Sequence, residues 1–339
     1  MASLSGDAEG NLMVKNDYEL IDIVTGYQPA AVVTAGLETG VFDALENGPA
    51  SLGALARSLR ADEGALHALL ESLVRLGMLR DESGRYSNTS YVSGRIAGGG
   101  PMASVIRKEA LFSAAWQELS EVVKTGRPVM QPWSDRVSSD PKTARSFLDA
   151  LDVLARATGP YLARLSELAP NKTVVDVGGG LGTYSAQLAM AGSRAILVDL
   201  PAVLEWAADV VGGIAGVTTQ AADVFEHPSV GVEQESVDAV LVSHLLHDLK
   251  PNQGVELLRR ARRATKPGGH VVVNDFAGDS GPGAFGPLFD LMMRVETGGA
   301  AHSLADLKDM IEEAGLIDVQ RADFDEPLTV LVAQNPRGG

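Results

Sequence analysis

The 339-residue chain contains no cysteine. Disulfides, thiolate metal sites and cysteine nucleophiles are therefore excluded. Basic residues are few, 28 Lys and Arg against 44 Asp and Glu, for a formal charge of −16. A surface of that sign disfavours nucleic-acid phosphates, which need clustered Lys and Arg. It suits a soluble cytoplasmic protein whose copies repel one another at long range. The opening residues, "MASLSGDAEGNL", have neither a basic flank nor an apolar stretch, so no signal peptide is expected there. No apolar run approaches the roughly 20 residues of a membrane span, so no membrane partner is expected. Histidine is scarce, six in all, yet "SHLLHDLK" holds two of them, His244 and His247.

Apolar residues make up 45% of the chain, enough for a sizeable core, and the length suits two domains. Residues 1–12 are expected to be disordered. Residues 13–165 are patterned mostly as helices, with apolar residues at helical spacing. Within them, "SLGALARSLRADEGALHALLESLVRLGMLRDESGRYSNT" begins with a helix capped by Ser51. A turn and a second helix near 62–77 follow, then two short strands around a Ser-Gly turn. That order predicts a winged helix, which raises DNA binding as one function. The would-be recognition helix offers Asp62, Glu63 and Glu71 against Arg75, so a packing or dimerisation module is the better reading.

Residues 166–339 alternate strands with helices, the mark of an α/β domain. Strands are expected at 173–178, 195–200, in "VTTQAAD", and at 237–242 and 269–276. Two more, "IDVQRADF" and "LTVLVAQ", are expected to pair antiparallel. The sum is seven strands in a doubly wound, Rossmann-like sheet.

"VVDVGGGLGTYS" follows the first of these strands and opens a helix. Glycines at 178, 180 and 182 let backbone approach a ligand closely, with helix N–H groups turned toward it. A dinucleotide fingerprint counted from Gly178 would need glycine at Thr183. The pattern is instead D-x-G-x-G-x-G, beginning at Asp176, which resembles the cofactor loop of S-adenosylmethionine-dependent methyltransferases. Asp199 closes the second strand, where a carboxylate accepts ribose hydroxyls in either cofactor class. Asp223 ends the third strand, placed to receive an adenine amino group.

From these motifs and "VDLPAVL", "ADVF", "LLHDL", "KPGGHVVVND" and "DLMMRVETGGAAHSLADLKDMIEEAGL", nearly the whole chain resembles the two-domain small-molecule methyltransferases. That family includes plant caffeate-type and bacterial anthracycline and mitomycin O-methyltransferases. The resemblance implies a class I methyltransferase domain and an N-terminal dimerisation domain that interlocks a homodimer. It implies S-adenosylmethionine held by Asp176, Gly178, Gly180, Asp199, Leu200, Asp223, Val224 and Ser243, with S-adenosylhomocysteine as product. His247 matches the family's general base, and Asp275 is the expected acid that orients it. The family's second acid falls at Ala301 and its usual Arg at His302.

Those departures place a second histidine near the acceptor. His247, Asp248 and His302 are expected to form a two-histidine, one-carboxylate site for one zinc or iron ion. A substrate contact or a packing role is the alternative for His302. The chain is accordingly similar also to the α-keto acid C-methyltransferases of nonribosomal-peptide pathways. There a metal would polarise the keto group and stabilise the enolate. Metal-assisted β-carbon methylation is the leading expectation, and O-methylation with His247 as base the alternative. Arg294, with Arg107, is a candidate for a substrate carboxylate. Trp116, Phe289, Met292 and Met293 are candidates for an apolar pocket wall. His244 is expected to be structural support, and His67, His227 and His270 surface or strand-end residues.

Overall fold

A computed structural model describes residues 14–324 and 327–337; the expected disorder of residues 1–12 lies outside them. The chain forms two compact units. One holds the described residues up to 114 together with Asp149–Val153, and the other holds 115–148 and everything from 154 onward. The units thus do not divide at 165. Val137, Ala144 and Leu148 pack with Leu181 and Val203, and Leu162 packs with Leu168 and Val174.

In the first unit, helices Leu52–Leu59 and Glu63–Arg75 pack over a three-stranded sheet of β1 (Ala50–Ser51), β2 (Leu79–Asp81) and β3 (Arg85–Asn88). Leu66, Leu70 and Leu73 recur at helical spacing and meet Phe42, Leu55 and Tyr86 in one core. The Asp62 side chain caps its helix by accepting from Ala65 N at 2.8 Å. Ser51 occupies the predicted capping position but makes no side-chain cap bond, and it pairs with Arg85 at the end of β1. Helices Asp17–Val24 and Tyr27–Glu38 leave Tyr18 at 81% and Tyr27 at 64% exposure. Contrary to the reading of the sequence, the stretch Asp17–Glu38 is long and apolar enough to cross a bilayer by length and composition. It also carries Asp17, Glu19, Asp22 and Glu38.

The second unit is built on seven strands: β4 (Thr173–Val177), β5 (Arg194–Asp199), β6 (Val217–Ala221), β7 (Val237–Ser243), β8 (Thr265–Phe276), β9 (Ile317–Arg321) and β10 (Leu328–Gln334). Their order is β6-β5-β4-β7-β8-β10-β9. The pairs from β6 to β8 are parallel, and β10 runs antiparallel to both neighbours. Successive residues serve opposite faces, as a pleated strand requires. Val175, Val240, Val242 and Val273 join the core under Pro251–Ala264 and Leu304–Glu313. Val174, Leu241, Val272 and Val330 join that of Tyr184 and Leu188. Two covered faces explain why these strands read as continuous apolar runs. Strand order reverses between β4 and β7, so their C-terminal loops border the crevice where open α/β sheets bind ligands.

Candidate active site

The glycine loop leaves β4 and enters helix Thr183–Met190. Gly178, Gly180 and Gly182 take φ of 59°, 59° and 81°, a region that strains any residue with a Cβ. At Gly182 a Cβ would also lie 2.6 Å from Val211 and 2.8 Å from Leu197. Asp199 Oδ2 accepts from Gly180 N at 2.8 Å and Oδ1 from Leu200 N at 2.7 Å. Burial pushes the Asp199 carboxyl up to about 6, against the pull of those two amides. Asp176 is wholly buried and likewise pushed up to about 6 by burial, although Ser185 binds its Oδ2 through N and Oγ. Its Oδ1 has no partner. Side-chain space at Gly180 is open except for Leu148 at 3.5 Å. An orphaned acidic oxygen and a strand-end carboxylate beside an open loop fit a ligand carrying hydroxyls and a cationic group.

The third acid lies differently. Asp223 stands two residues beyond β6, exposed, and its Oδ1 accepts from Phe225 N at 2.9 Å. Val224 beside it is buried. Ser243 ends β7 and accepts from Asn274 Nδ2 at 2.8 Å.

His247 lies on a short 3-10 turn, Leu246–Asp248, just past β7. Its Nδ1 donates to Asp275 Oδ1 at 2.5 Å. Asp275, on β8, also accepts from the amides of Leu246, His247 and Phe276. Burial alone would lower the His247 pKa; Asp275, Asp248 and Glu296 outweigh it and raise the imidazole to about 9. Burial would raise Asp275, yet His247 holds its carboxyl below the usual range. With Nδ1 committed, Nε2 is the free ring nitrogen. Asp248 Oδ1 is 3.9 Å from it. Burial holds the Asp248 carboxyl above the usual range, with His247 pulling the other way.

His244 takes a left-handed φ of 53°. Its Nε2 meets Tyr184 Oη at 3.2 Å and Asn274 Nδ2 at 3.4 Å, while Nδ1 is unpartnered. Burial lowers its pKa to about 4, so it stays neutral at physiological pH. The two histidines share an aromatic cluster: Phe276 lies 5.2 Å from the His244 ring, and Phe289 meets the His247 ring edge-on at 5.2 Å.

The expected metal triad does not assemble. His302 is 4% exposed, and its Nε2 donates to the carbonyls of Leu246 and Leu249, each at 3.0 Å. A nitrogen so committed offers no lone pair to an ion beside His247 and Asp248. His302 instead clamps the turn that carries them. The residues that do converge are His244, His247 and Asp275, whose ligand atoms lie within 4.8 Å of one another, but Asp275 is already taken by His247 Nδ1.

The other expectations divide. Phe289 is a wall of the histidine site, and Met293 is buried on the same helix, Phe285–Glu296. Trp116 is half-buried at the end of Pro101–Trp116 and makes no ring contact with this cluster among the described residues. Arg294 is not poised for a substrate carboxylate. It is 52% exposed and paired through Nε to Asp290 at 2.7 Å. Arg107 is exposed in the first unit.

Sequence reasoning missed Glu296 and Arg136. Glu296 is buried and pairs with Arg136 Nη2 at 3.0 Å. The Arg136 guanidinium lies over the rings of Trp133 and Phe147, at 5.1 and 5.3 Å. The loop after Glu296 docks on the turn that carries His247: Ala300 N donates to His247 O at 3.0 Å, and a Cβ at Gly299 would collide with that carbonyl. An acid ending the apolar run "LMMRVE" was the available signal.

A family model of the O-methyltransferase domain matches residues 116–317, and one of the O-methyltransferase dimerisation domain matches residues 21–93. The chain is 30% identical over 321 residues to 3-hydroxy-5-methyl-1-naphthoate 3-O-methyltransferase of Streptomyces sahachiroi, covering 91% of this chain and 92% of that enzyme. It is 28% identical over 312 residues to the mitomycin biosynthesis 6-O-methyltransferase of Streptomyces lavendulae, covering 87% of each. Its fold matches that of human N-acetylserotonin methyltransferase in complex with SAM, with a TM-score of 0.83, 24% identity, and 95% of this chain and 99% of that one covered.

Proposed function

The chain belongs to the O-methyltransferase family, and from that premise we propose that it methylates a hydroxyl of a small aromatic secondary metabolite, using S-adenosylmethionine and His247 as general base. The observation that carries this reading is the 2.5 Å contact from His247 Nδ1 to Asp275, which leaves Nε2 free. When bound, S-adenosylmethionine supplies an electrophilic methyl group on a sulfonium centre. Asp199 would hold ribose hydroxyls, and the orphaned Asp176 Oδ1 and open glycine loop suit the cationic methionine portion. Nε2 takes the hydroxyl proton, which makes the oxygen nucleophilic, and Asp275 stabilises the imidazolium that forms. A conjugate acid near 9 approaches a phenol's pKa of about 10, so proton transfer between them is close to balanced.

The relatives, an aromatic and a mitomycin O-methyltransferase, support oxygen over carbon as acceptor. Metal-assisted methylation of an α-keto acid has no such support, and its ligand set fails at His302. The dimerisation domain supports a homodimer. One assay tests the whole. S-adenosylmethionine should raise the melting temperature where NAD does not, and hydroxynaphthalenes should gain one methyl group on oxygen. Retained turnover in His247→Ala at the wild-type rate would remove the base from the mechanism.

A further inference from the structure

A buried ion pair in the second unit takes no direct part in the proton transfer proposed above. Arg136, on the helix Trp133–Ser139, meets Glu296, the last residue of the helix Phe285–Glu296, at 3.0 Å. Their side chains are 14% and 7% exposed, so solvent screens the two charges weakly. Exchanging a buried ion pair for apolar residues of similar volume is often neutral or stabilising. This pair also leaves Arg136 Nε buried without a partner. Stability alone is therefore a poor account of it.

Its surroundings supply a better one. Val129 N donates to Val295 O at 2.8 Å, so the chain before Arg136 is pinned beside Glu296. In the loop that follows Glu296, Ala300 N donates to His247 O at 3.0 Å, and Gly299 passes too close to that carbonyl to carry a Cβ. Burial disfavours the His247 imidazolium, while Asp275 on β8, Asp248 on its own turn, and Glu296 favour it. His244 stays neutral, and His302 donates to the carbonyls of Leu246 and Leu249. Asp290 and Arg294, on the helix that ends at Glu296, pair with each other.

We infer that Arg136 is a positioning residue for His247: through Glu296 it holds the loop that docks on the histidine's turn and sets how much negative charge the imidazole meets. The inference rests on His247 as the base. With Arg136 in place, the Glu296 charge is partly cancelled. Without it, an unpaired carboxylate favours the imidazolium; without Glu296, an unpaired guanidinium opposes it.

NMR titration of the histidines in the full-length protein with S-adenosylhomocysteine tests this without any acceptor, and His247→Asn identifies the resonance. Arg136→Met should move the His247 titration to higher pH and Glu296→Gln to lower pH. The double variant should return it toward the wild type, and Arg136→Lys, which keeps the charge, should leave it near there. With an acceptor that is turned over, Arg136→Met should lower kcat by about ten- to a hundredfold while the KM for S-adenosylmethionine holds. Opposite shifts that cancel in the double variant are what a packing role alone would not give. An unmoved titration, shifts of one sign in both single variants, or wild-type kcat in a folded Arg136→Met variant each overturn the inference. Where Arg136→Met fails to fold, Glu296→Gln decides: a shift to lower pH supports the inference and an unmoved titration overturns it. The expected shifts in a protein whose His247→Ala variant keeps wild-type turnover would instead count against His247 as the base and leave the link from Arg136 to His247 standing.

Discussion

At the scale of single residues, the charge around His247 sets the pH dependence that the proposed mechanism expects. Asp275, Asp248 and Glu296 raise its conjugate acid to about 9, against burial, with neutral His244 and the paired Arg136 completing the surroundings. At pH 7 the free base is therefore the minor form. We expect kcat/KM to rise with pH and level off near 9. Replacing Asp275 by Asn removes the largest charge favouring the imidazolium. The rising limb should move down toward the ordinary histidine value of about 6.5, and the plateau should fall, since an amide stabilises an imidazolium poorly. His247→Asn should lose about 10²–10⁴ in kcat. A flat profile between pH 6 and 9 in the wild type would show that no such base limits the reaction. His247 and Asp275 were singled out in "LLHD" and "VVVND" only through the family resemblance, and the structure brings them to 2.5 Å of each other. Glu296 was not: its partner Arg136 lies 160 residues away in the chain, and no local period links the two.

At the scale of elements, the inner strands of the large sheet could be read closely from the sequence, since Val-rich runs covered on both faces leave little ambiguity. The pairing of the last two strands was likewise visible. The role of His302 was not, because it depends on which backbone carbonyls the fold brings to it. Its Nε2 bonds to Leu246 O and Leu249 O bracket the turn that aims His247, and Gly278 N donates to its own carbonyl at 2.8 Å. His302→Ala strips a buried donor from two carbonyls and should cost about 1–3 kcal/mol of stability. The turn carrying His247 should loosen with it. We therefore expect a lower melting temperature and a lower kcat, with S-adenosylmethionine affinity unchanged, since the glycine loop and Asp199 do not touch His302. Loss of a bound transition metal from the wild type on this substitution, with no change in melting temperature, would restore the ligand role that the geometry denies.

At the scale of the whole molecule, a net charge of −16 coexists with an apolar surface on the first unit. Leu20, Ile21, Ile23, Val24 and Tyr27 are each exposed by about half or more in the single chain. An apolar face this large demands a cover. Length and hydropathy alone allow a bilayer as that cover. Three acids on the first helix, Asp17, Glu19 and Asp22, would be costly in hydrocarbon but sit comfortably at the polar rim of a protein interface. The dimerisation-domain match, which begins at residue 21 and runs to 93, covers most of that face. A second copy of the chain is the occupant these observations favour. Sedimentation should accordingly give twice the 35.5 kDa of one chain, without detergent. Ile21→Asp with Val24→Asp adds two charges to the face without disturbing any buried residue, since neither side chain belongs to a core. That variant should sediment as a monomer at micromolar concentration. If it remains a dimer, the subunits meet elsewhere. If the wild type sediments as a monomer until lipid vesicles are added and then floats with them, the apolar face is a membrane anchor and the homodimer falls.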